Sequence, residues 1–178
     1  MPTDVKATTI LAVSRNGRTA LGGDGQVTLG NSKVKAGAKK VRKISDGKVL
    51  AGFAGTAADA LGLLERLEGH LKSESGDLRR AAVSLAREWR TDRVLRRLEA
   101  MLLTADAKSI LIVSGAGDVI EPDVPVAAVG SGADSARAAA LALIENTNLS
   151  AVEIVRKALN IASRICIYTN DSLTVEEL

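Results

Sequence analysis

The stretch "TTILAVSRNGRTALGGDG", residues 8–25, decides how this chain folds. Its apolar positions run consecutively from Ile10 to Val13, and its turn-forming residues cluster at Asn16-Gly17 and Asp24-Gly25. Asn-Gly and Asp-Gly supply the positive backbone angles that tight turns need, so the stretch predicts two short antiparallel strands, 8–14 and 18–23. A strand that is apolar at successive positions has both faces covered, which requires layers on either side of its sheet. The leading pair Thr8-Thr9 raises a separate question, because threonine favours strands but also carries a nucleophilic hydroxyl.

Outward from there, "VRKI" (41–44) and "KVLAGFAG" (48–55) read as further strands, separated by Asp46-Gly47. From Thr56 the pattern changes: Ala57, Ala60, Leu61, Leu64, Leu67 and Leu71 recur at helical spacing. "SESGD" (73–77) interrupts it, and Leu78, Ala82, Leu85 and Trp89, continuing through Leu95, Leu98 and Leu102, predict a second long helical stretch. Strand patterns return at 109–114, 118–122 and 124–131. Two helices follow, one alanine-rich over 133–145 and one over 150–163 opened by the capping box Ser150-x-x-Glu153. "ICIYT" (165–169) reads as a closing strand. Strands, two helices, strands, two helices and a strand predict a single α+β domain, a four-layer α-β-β-α sandwich with no linker or internal repeat.

With 178 residues, 46% of them hydrophobic, the chain can bury roughly 70% of its unfolded surface in one domain. No apolar stretch approaches the ~18 residues of a membrane span, and MPTDVKA lacks the apolar middle of a signal peptide, so a cytoplasmic protein with no membrane partner is expected. One cysteine, Cys166, and one histidine, His70, exclude an intrachain disulfide and a typical zinc site. His70 has no GxSxG serine to serve and reads as a surface residue, and Cys166 as a buried structural thiol. "AAVGSGADS" (127–135) lies between a strand and a helix, but Ser135 stands where a dinucleotide loop has its third glycine. No organic cofactor is expected, and without a GxxxxGK[ST] loop any ATP would be used by a partner. The net charge of +3 invites a nucleic-acid reading, yet the only aromatics, Phe53, Trp89 and Tyr168, are too scattered to form a stacking platform. The basic residues of "RTDRVLRR" and "KKVRK" have acidic neighbours and read as solvated surface.

There remain Thr8, Asp24 in "GGDGQVTLG", and the lysines of "KAGAKKVRK". Singly, each has an ordinary explanation in a strand, a turn or a solvated face. Together, Thr8, Asp24, Lys40, the "GFAG" that begins at Gly52 and the "GSG" around Ser131 resemble the N-terminal threonine peptidases of the proteasome β-subunit family. "EWRTDR", "IENTNLSA" and "ICIYTN" extend the likeness toward the C-terminus. The resemblance implies the N-terminal-nucleophile fold, which is the sandwich expected above. It also implies a peptidase acting on unfolded protein substrates, a homo-oligomer built as a double hexameric ring, and a hexameric ATPase partner.

Residue by residue, the resemblance makes Thr8 the nucleophile, Lys40 rather than Lys39 the lysine beside it, and Asp24 the acid that orients that lysine. Counting from Thr9 instead would shift both partners by one and, because strand residues alternate, turn the hydroxyl to the wrong face. Gly52 becomes the backbone donor to the oxyanion, and Ser131 assists the amine. An extended substrate is expected between the segments at Val27-Thr28 and Gly52, with main-chain hydrogen bonds giving low sequence specificity. A monovalent cation, Na+, is expected on backbone carbonyls of Ser163, Cys166 and Thr169, the first of which is commonly glycine in the family.

A threonine hydroxyl needs a base, and its own α-amine suits the task better than lysine does. With a reference pKa of about 7.7 to 8.0, roughly 10 to 20% of an α-amine is neutral at pH 7, against fewer than about one in a thousand lysines. Using Lys40 as the base would cost on the order of 4 kcal/mol in pKa shift, so its expected role is as a charge that stabilises the alkoxide. With MPTDVKA ahead of it, Thr8 has an amide nitrogen, which is no base. The Ala7-Thr8 bond is therefore expected to be cut by the chain itself, leaving 8–178 as the peptidase domain. Two other classes stay open on sequence: a non-catalytic scaffold of the same fold, indifferent to Thr8→Ala, and a nucleic-acid binder with steep salt dependence. The joint presence of Thr8, Asp24, Lys40 and Ser131 disfavours the first, and the scarcity of aromatics the second.

Overall fold

A computed structural model describes residues 8–55, 57–98 and 100–178; the expected leader, residues 1–7, lies outside them. In chain order the strands β1 (Thr9–Arg15), β2 (Arg18–Asp24), β3 (Val27–Leu29), β4 (Ser32–Lys35), β5 (Val41–Ile44) and β6 (Val49–Ala54) come first. The helices α1 (Ala57–Ser73) and α2 (Leu78–Thr91) follow, then a 3₁₀ turn (Leu95–Arg97) and strands β7 (Met101–Ala105), β8 (Ile110–Ser114), β9 (Val119–Ile120) and β10 (Val126–Gly130). Helices α3 (Ala133–Asn146) and α4 (Ala151–Ile165) and the strand β11 (Leu173–Glu177) complete the described elements.

The strands form two antiparallel sheets, ordered β10-β1-β2-β11 and β5-β6-β7-β8-β9, plus the small β3-β4 hairpin. Three cores separate four layers. Ile10, Ala12, Leu21, Leu50, Leu103 and Val129 pack between the two sheets. Leu11, Val13 and Val126 turn the other way, onto Ile154, Val155 and Leu159 of α4 and Ala136 and Ala140 of α3. Val49, Ala51 and Leu102 face Leu63, Leu67, Leu85 and Trp89 of α1 and α2. Strand residues alternate between faces, so a run such as Ile10–Val13 can feed two cores at once. This is the α-β-β-α sandwich expected from the order of elements.

Because both faces of β1 are apolar, burial alone does not fix its register. The β1-β2 turn helps to set it: Asn16 and Gly17 have φ of 53° and 75°, as a two-residue hairpin requires. Thr9 supplies a second constraint, described below. The capping box at α4 forms as expected, with Ser150 accepting from the Glu153 N–H and the Glu153 carboxylate accepting from the Ser150 N–H.

Five expectations from the sequence are corrected. The second helical stretch stops at Thr91, because the Asp92 carboxylate accepts from the N–H groups of Val94 (2.8 Å) and Leu95 (2.9 Å) and turns the chain. Leu102 therefore lies in β7, a strand that the leucine spacing concealed. "ICIYT" is a turn, closed by the Cys166 N–H on Ala162 O and the Thr169 N–H on Cys166 O, and β11 begins only at Leu173. Cys166 is a half-buried helix C-cap instead of a core thiol. His70 is half-buried between α1 and α2, with Nε2 2.7 Å from Glu88 Oε2. In α1 the core face is carried by Ala60, Leu63, Leu64, Leu67 and Leu71, while Leu61 is exposed. The short hairpin β3-β4 gave no pattern in the sequence, its β4 residues all being exposed. Phe53 and Trp89 are buried in the core, where neither can stack on a base. No helix among the described residues is long and apolar enough to cross a membrane.

Candidate active site

The two threonines at the head of β1 are both buried but serve different faces. Thr9 shares its face with Leu11 and Val13, on the side covered by α3 and α4. Its hydroxyl accepts from the Gly132 N–H (2.9 Å) and lies 2.7 Å from the Thr169 hydroxyl, at the mouth of α3 and the turn after α4. That network anchors β1 in register and occupies the Thr9 side chain. By alternation Thr8 falls with Ile10 and Ala12, toward the opposing sheet. The Thr8 carbonyl accepts from the Ser131 N–H at 2.8 Å. Ser131 itself is exposed, so the "GSG" segment approaches Thr8 through its backbone.

That approach depends on Gly130, opposite Thr9 in the β1-β10 ladder. Its φ is +101°, and a Cβ there would stand 2.0 Å from the Thr8 carbonyl oxygen. Gly52 is opposite Val41 and Leu103, and a Cβ on it would lie 2.8 Å from Ile10 Cγ2 and 3.0 Å from Leu21 Cδ2. Glycine at 52 is thus required for the close approach of the two sheets, and because β6 is paired there on both edges its N–H belongs to the ladder, which corrects the expectation that Gly52 donates to the oxyanion.

Asp24, at the end of β2, has a fully buried carboxylate that accepts four hydrogen bonds. Oδ1 takes the Thr9 N–H (2.9 Å) and the Lys40 ammonium (3.0 Å); Oδ2 takes the N–H groups of Gln26 (3.0 Å) and Asn170 (3.3 Å). One carboxylate thereby ties the first strand, the turn after β2 and the turn before β11 to Lys40. The neighbouring lysines differ: Lys39 is exposed, whereas the Lys40 side chain is 5% exposed. Lys40 Nζ also donates to the Gln26 carbonyl at 2.6 Å. Burial holds its ammonium below the usual lysine range, while the charge and the hydrogen bond of Asp24 pull in the opposite direction. Both acceptors favour a charged lysine at neutral pH, the carboxylate most strongly.

Thr28 is buried and accepts from Gln26 Nε2 at 3.0 Å, and Val27 beside it is half-buried, pairing with Lys35. The same Gln26 amide donates to the Ile167 carbonyl at 2.9 Å, linking the β3 segment to the turn after α4. In that turn Ser163 and Cys166 stand at the carboxyl end of α4, where helix carbonyls lack intrahelical partners. Cys166 O takes one hydrogen bond, from the Thr169 N–H, and keeps a second lone pair. Hard carbonyl donors of this kind at the negative end of a helix suit a monovalent cation. Among the described residues no cluster of His, Cys, Asp or Glu could hold a metal ion through side chains.

Three residues that shape this site were not singled out from the sequence for it: Gln26, Gly130 and Asn170. Gln26 and Asn170 act through contacts up to 146 positions apart, which no local pattern reports.

A four-layer α-β-β-α sandwich with a threonine at the head of a central strand and a buried lysine–aspartate pair beside it has the form of an N-terminal-nucleophile hydrolase. The proteasome subunit family model matches residues 5–178. The chain is 62% identical to the ATP-dependent protease subunit HslV of Aquifex aeolicus, over 98% of this chain and 99% of that protein. It is also 62% identical to HslV of Pseudothermotoga lettingae, over 97% and 98%. Among solved structures, eukaryotic HslV from Trypanosoma brucei superimposes with a TM-score of 0.91 at 46% identity, covering 96% of this chain and 98% of that one. Thiobacillus denitrificans BPH shares the fold, with a TM-score of 0.76 at 21% identity over 96% and 97%. The chain belongs to the proteasome subunit family, among its HslV-type protease subunits.

Proposed function

We propose that this chain is the threonine-type peptidase subunit of an ATP-dependent protein-degrading complex, with Thr8 as its nucleophile once the Ala7-Thr8 bond is cut. The observation that carries the assignment of roles is the Asp24 carboxylate, which holds the Lys40 ammonium and the Thr9 N–H on a single oxygen, one residue from Thr8. In this reading the freed α-amine of Thr8 takes the proton from its own hydroxyl, and the oxygen attacks the scissile carbonyl. The Lys40 charge stabilises the forming alkoxide, and Asp24 keeps that charge in place. Ser131 assists the amine. The amine then delivers its proton to the leaving peptide amine, leaving an ester on Thr8. Water, deprotonated by the same amine, hydrolyses the ester and restores the hydroxyl.

The substrate is an extended, unfolded polypeptide that adds a strand along Val27-Thr28. A monovalent cation, Na+, held by the carbonyls of Ser163, Cys166 and Thr169, would pin the turn that bears on Gln26 and Thr9. The partners are a hexameric HslU-type ATPase, which uses the ATP, and further copies of this chain in a double hexameric ring acting in the cytoplasm. No nucleic acid or membrane takes part in this reading. The test is hydrolysis of a short fluorogenic peptide with and without the ATPase and ATP, together with the intact mass of the active protein. Thr8→Ala abolishes turnover, and the active species begins at Thr8. Active protein that retains residues 1–7 would sink the mechanism.

A further inference from the structure

We infer that Asn170 is a positioning residue that holds the segment carrying Lys40 against the strand carrying Asp24. The inference rests on the reading of Lys40 and Asp24 as the charged pair that serves Thr8. The two are sixteen positions apart, separated by the β3-β4 hairpin, whose β4 strand is exposed throughout. That excursion by itself does not fix the separation of its ends. Asn170 bonds to both. Its Oδ1 accepts from the N–H of Gly25 at 3.0 Å, next to Asp24, and its Nδ2 donates to the carbonyl of Ala36 at 2.9 Å, at the head of the segment leading to Lys40.

The same Oδ1 accepts from the Ser172 N–H at 3.3 Å, and the Asn170 backbone N–H donates to Asp24 Oδ2 at 3.3 Å. Alongside, the Ala38 N–H donates to the Gly25 carbonyl at 2.9 Å, and a Cβ on Gly25 would lie 2.2 Å from Ala36 O. The Asn170 side chain therefore bridges two segments that already touch, and draws the turn before β11 into the same clasp. The chemistry selects asparagine: one short side chain must accept from two N–H groups and donate to a carbonyl. Aspartate keeps the accepting contacts but cannot donate to Ala36, and alanine makes none of them.

Misplacing a catalytic group by about 1 Å can cost about 100-fold in rate. Asn170 acts on Lys40 and Asp24 and not on the bound peptide, so its loss appears in kcat and spares KM. The experiment measures peptide hydrolysis, with the partner ATPase and ATP present, for the wild type, Lys40→Ala, Asn170→Ala and Asn170→Asp. Both Asn170 variants are expected to lose about 10- to 100-fold in kcat with KM within about twofold. In Asn170→Ala the basic limb of the kcat profile also moves toward neutral pH, because a lysine held less firmly by Asp24 gives up its proton more readily. Asn170→Asp keeps the contacts to Gly25 and Ser172 and carries the kinetic test if the alanine variant does not fold. Unchanged kcat, a loss confined to KM, or a lowered kcat with an unmoved basic limb in Asn170→Ala would overturn the inference. An active Lys40→Ala would overturn the reading of the site instead, and an inactive Lys40→Ala beside unaffected Asn170 variants would overturn the positioning role alone.

Discussion

Replacing either member of the buried pair slows the chemistry sharply in this reading, but the two replacements differ in what they do to stability. In Asp24→Asn the amide must present its NH2 to one side of the old carboxylate. Each side faces two donors, the Thr9 N–H and Lys40 on one and the N–H groups of Gln26 and Asn170 on the other. Neither amide orientation escapes donor against donor, and the Lys40 ammonium loses its counter-charge in a site where it is 5% exposed. Breaking a buried ion pair from one side costs about 3–5 kcal/mol, with the lower end reached if Lys40 sheds its proton. In Lys40→Met the carboxylate keeps three backbone N–H donors, so the cost is that of one lost buried partner, about 1–3 kcal/mol. The difference of about 2 kcal/mol corresponds to roughly 4–8 °C in melting temperature for a chain of this length. Thermal melts at one fixed protein concentration, paired with peptide turnover, check the order. Both variants are expected to lose about 10²–10³ in kcat, as removing a preorganised electrostatic group does. Asp24→Asn melting as high as Lys40→Met, or within about 1 kcal/mol of the wild type, would refute the account of the four-donor carboxylate.

The pH dependence follows from the lowered pKa of Lys40. The folded state binds that proton less tightly than the unfolded chain, so between the lowered value and the ordinary lysine value near 10.4 stability rises with pH, while activity falls as the ammonium is lost. Chemical denaturation and kcat measured across that window cross in opposite directions in the wild type, and in Lys40→Met the stability gain is absent. Gly130→Ala forces a Cβ onto the Thr8 carbonyl from a backbone with φ of +101°. It is expected to cost about 2–4 kcal/mol and to block release of the leader, read by melting temperature and intact mass.

The layers were legible because turn chemistry and periodicity are local. Asn16-Gly17 fixed the first hairpin, and the apolar run Ile10–Val13 required cover on both faces. Local pattern also explains the errors. Leu95, Leu98 and Leu102 keep helical spacing, yet Asp92 caps and turns the chain, a competition that spacing does not report. "ICIYT" has strand composition but is pinned as a turn by carbonyls and hydroxyls elsewhere, among them Thr9 bonded to Thr169 across 160 positions. In the site, Asp24 and Lys40 stood out through their family spacing, while Gln26 and Asn170, which hold them, are ordinary amides until the chain is folded.

The adjacent threonines show how one strand period assigns two functions. Thr9 turns its hydroxyl into the α3 and α4 side, where the Gly132 N–H and Thr169 take it, and gives its backbone N–H to Asp24. It is saturated by structural bonds, and those bonds set the register of β1, which an all-apolar strand cannot set by burial. Thr8, one residue earlier, is placed toward the opposing sheet by the same alternation. A slip of one residue would put the anchored hydroxyl at the place proposed for the attacking one and detach Asp24 from the strand. On the proposed reading, the precision demanded of Thr8 as nucleophile is supplied by its neighbour, and Asp24, bonded to Thr9 and Lys40 through one oxygen, couples the register of the strand to the position of the charge.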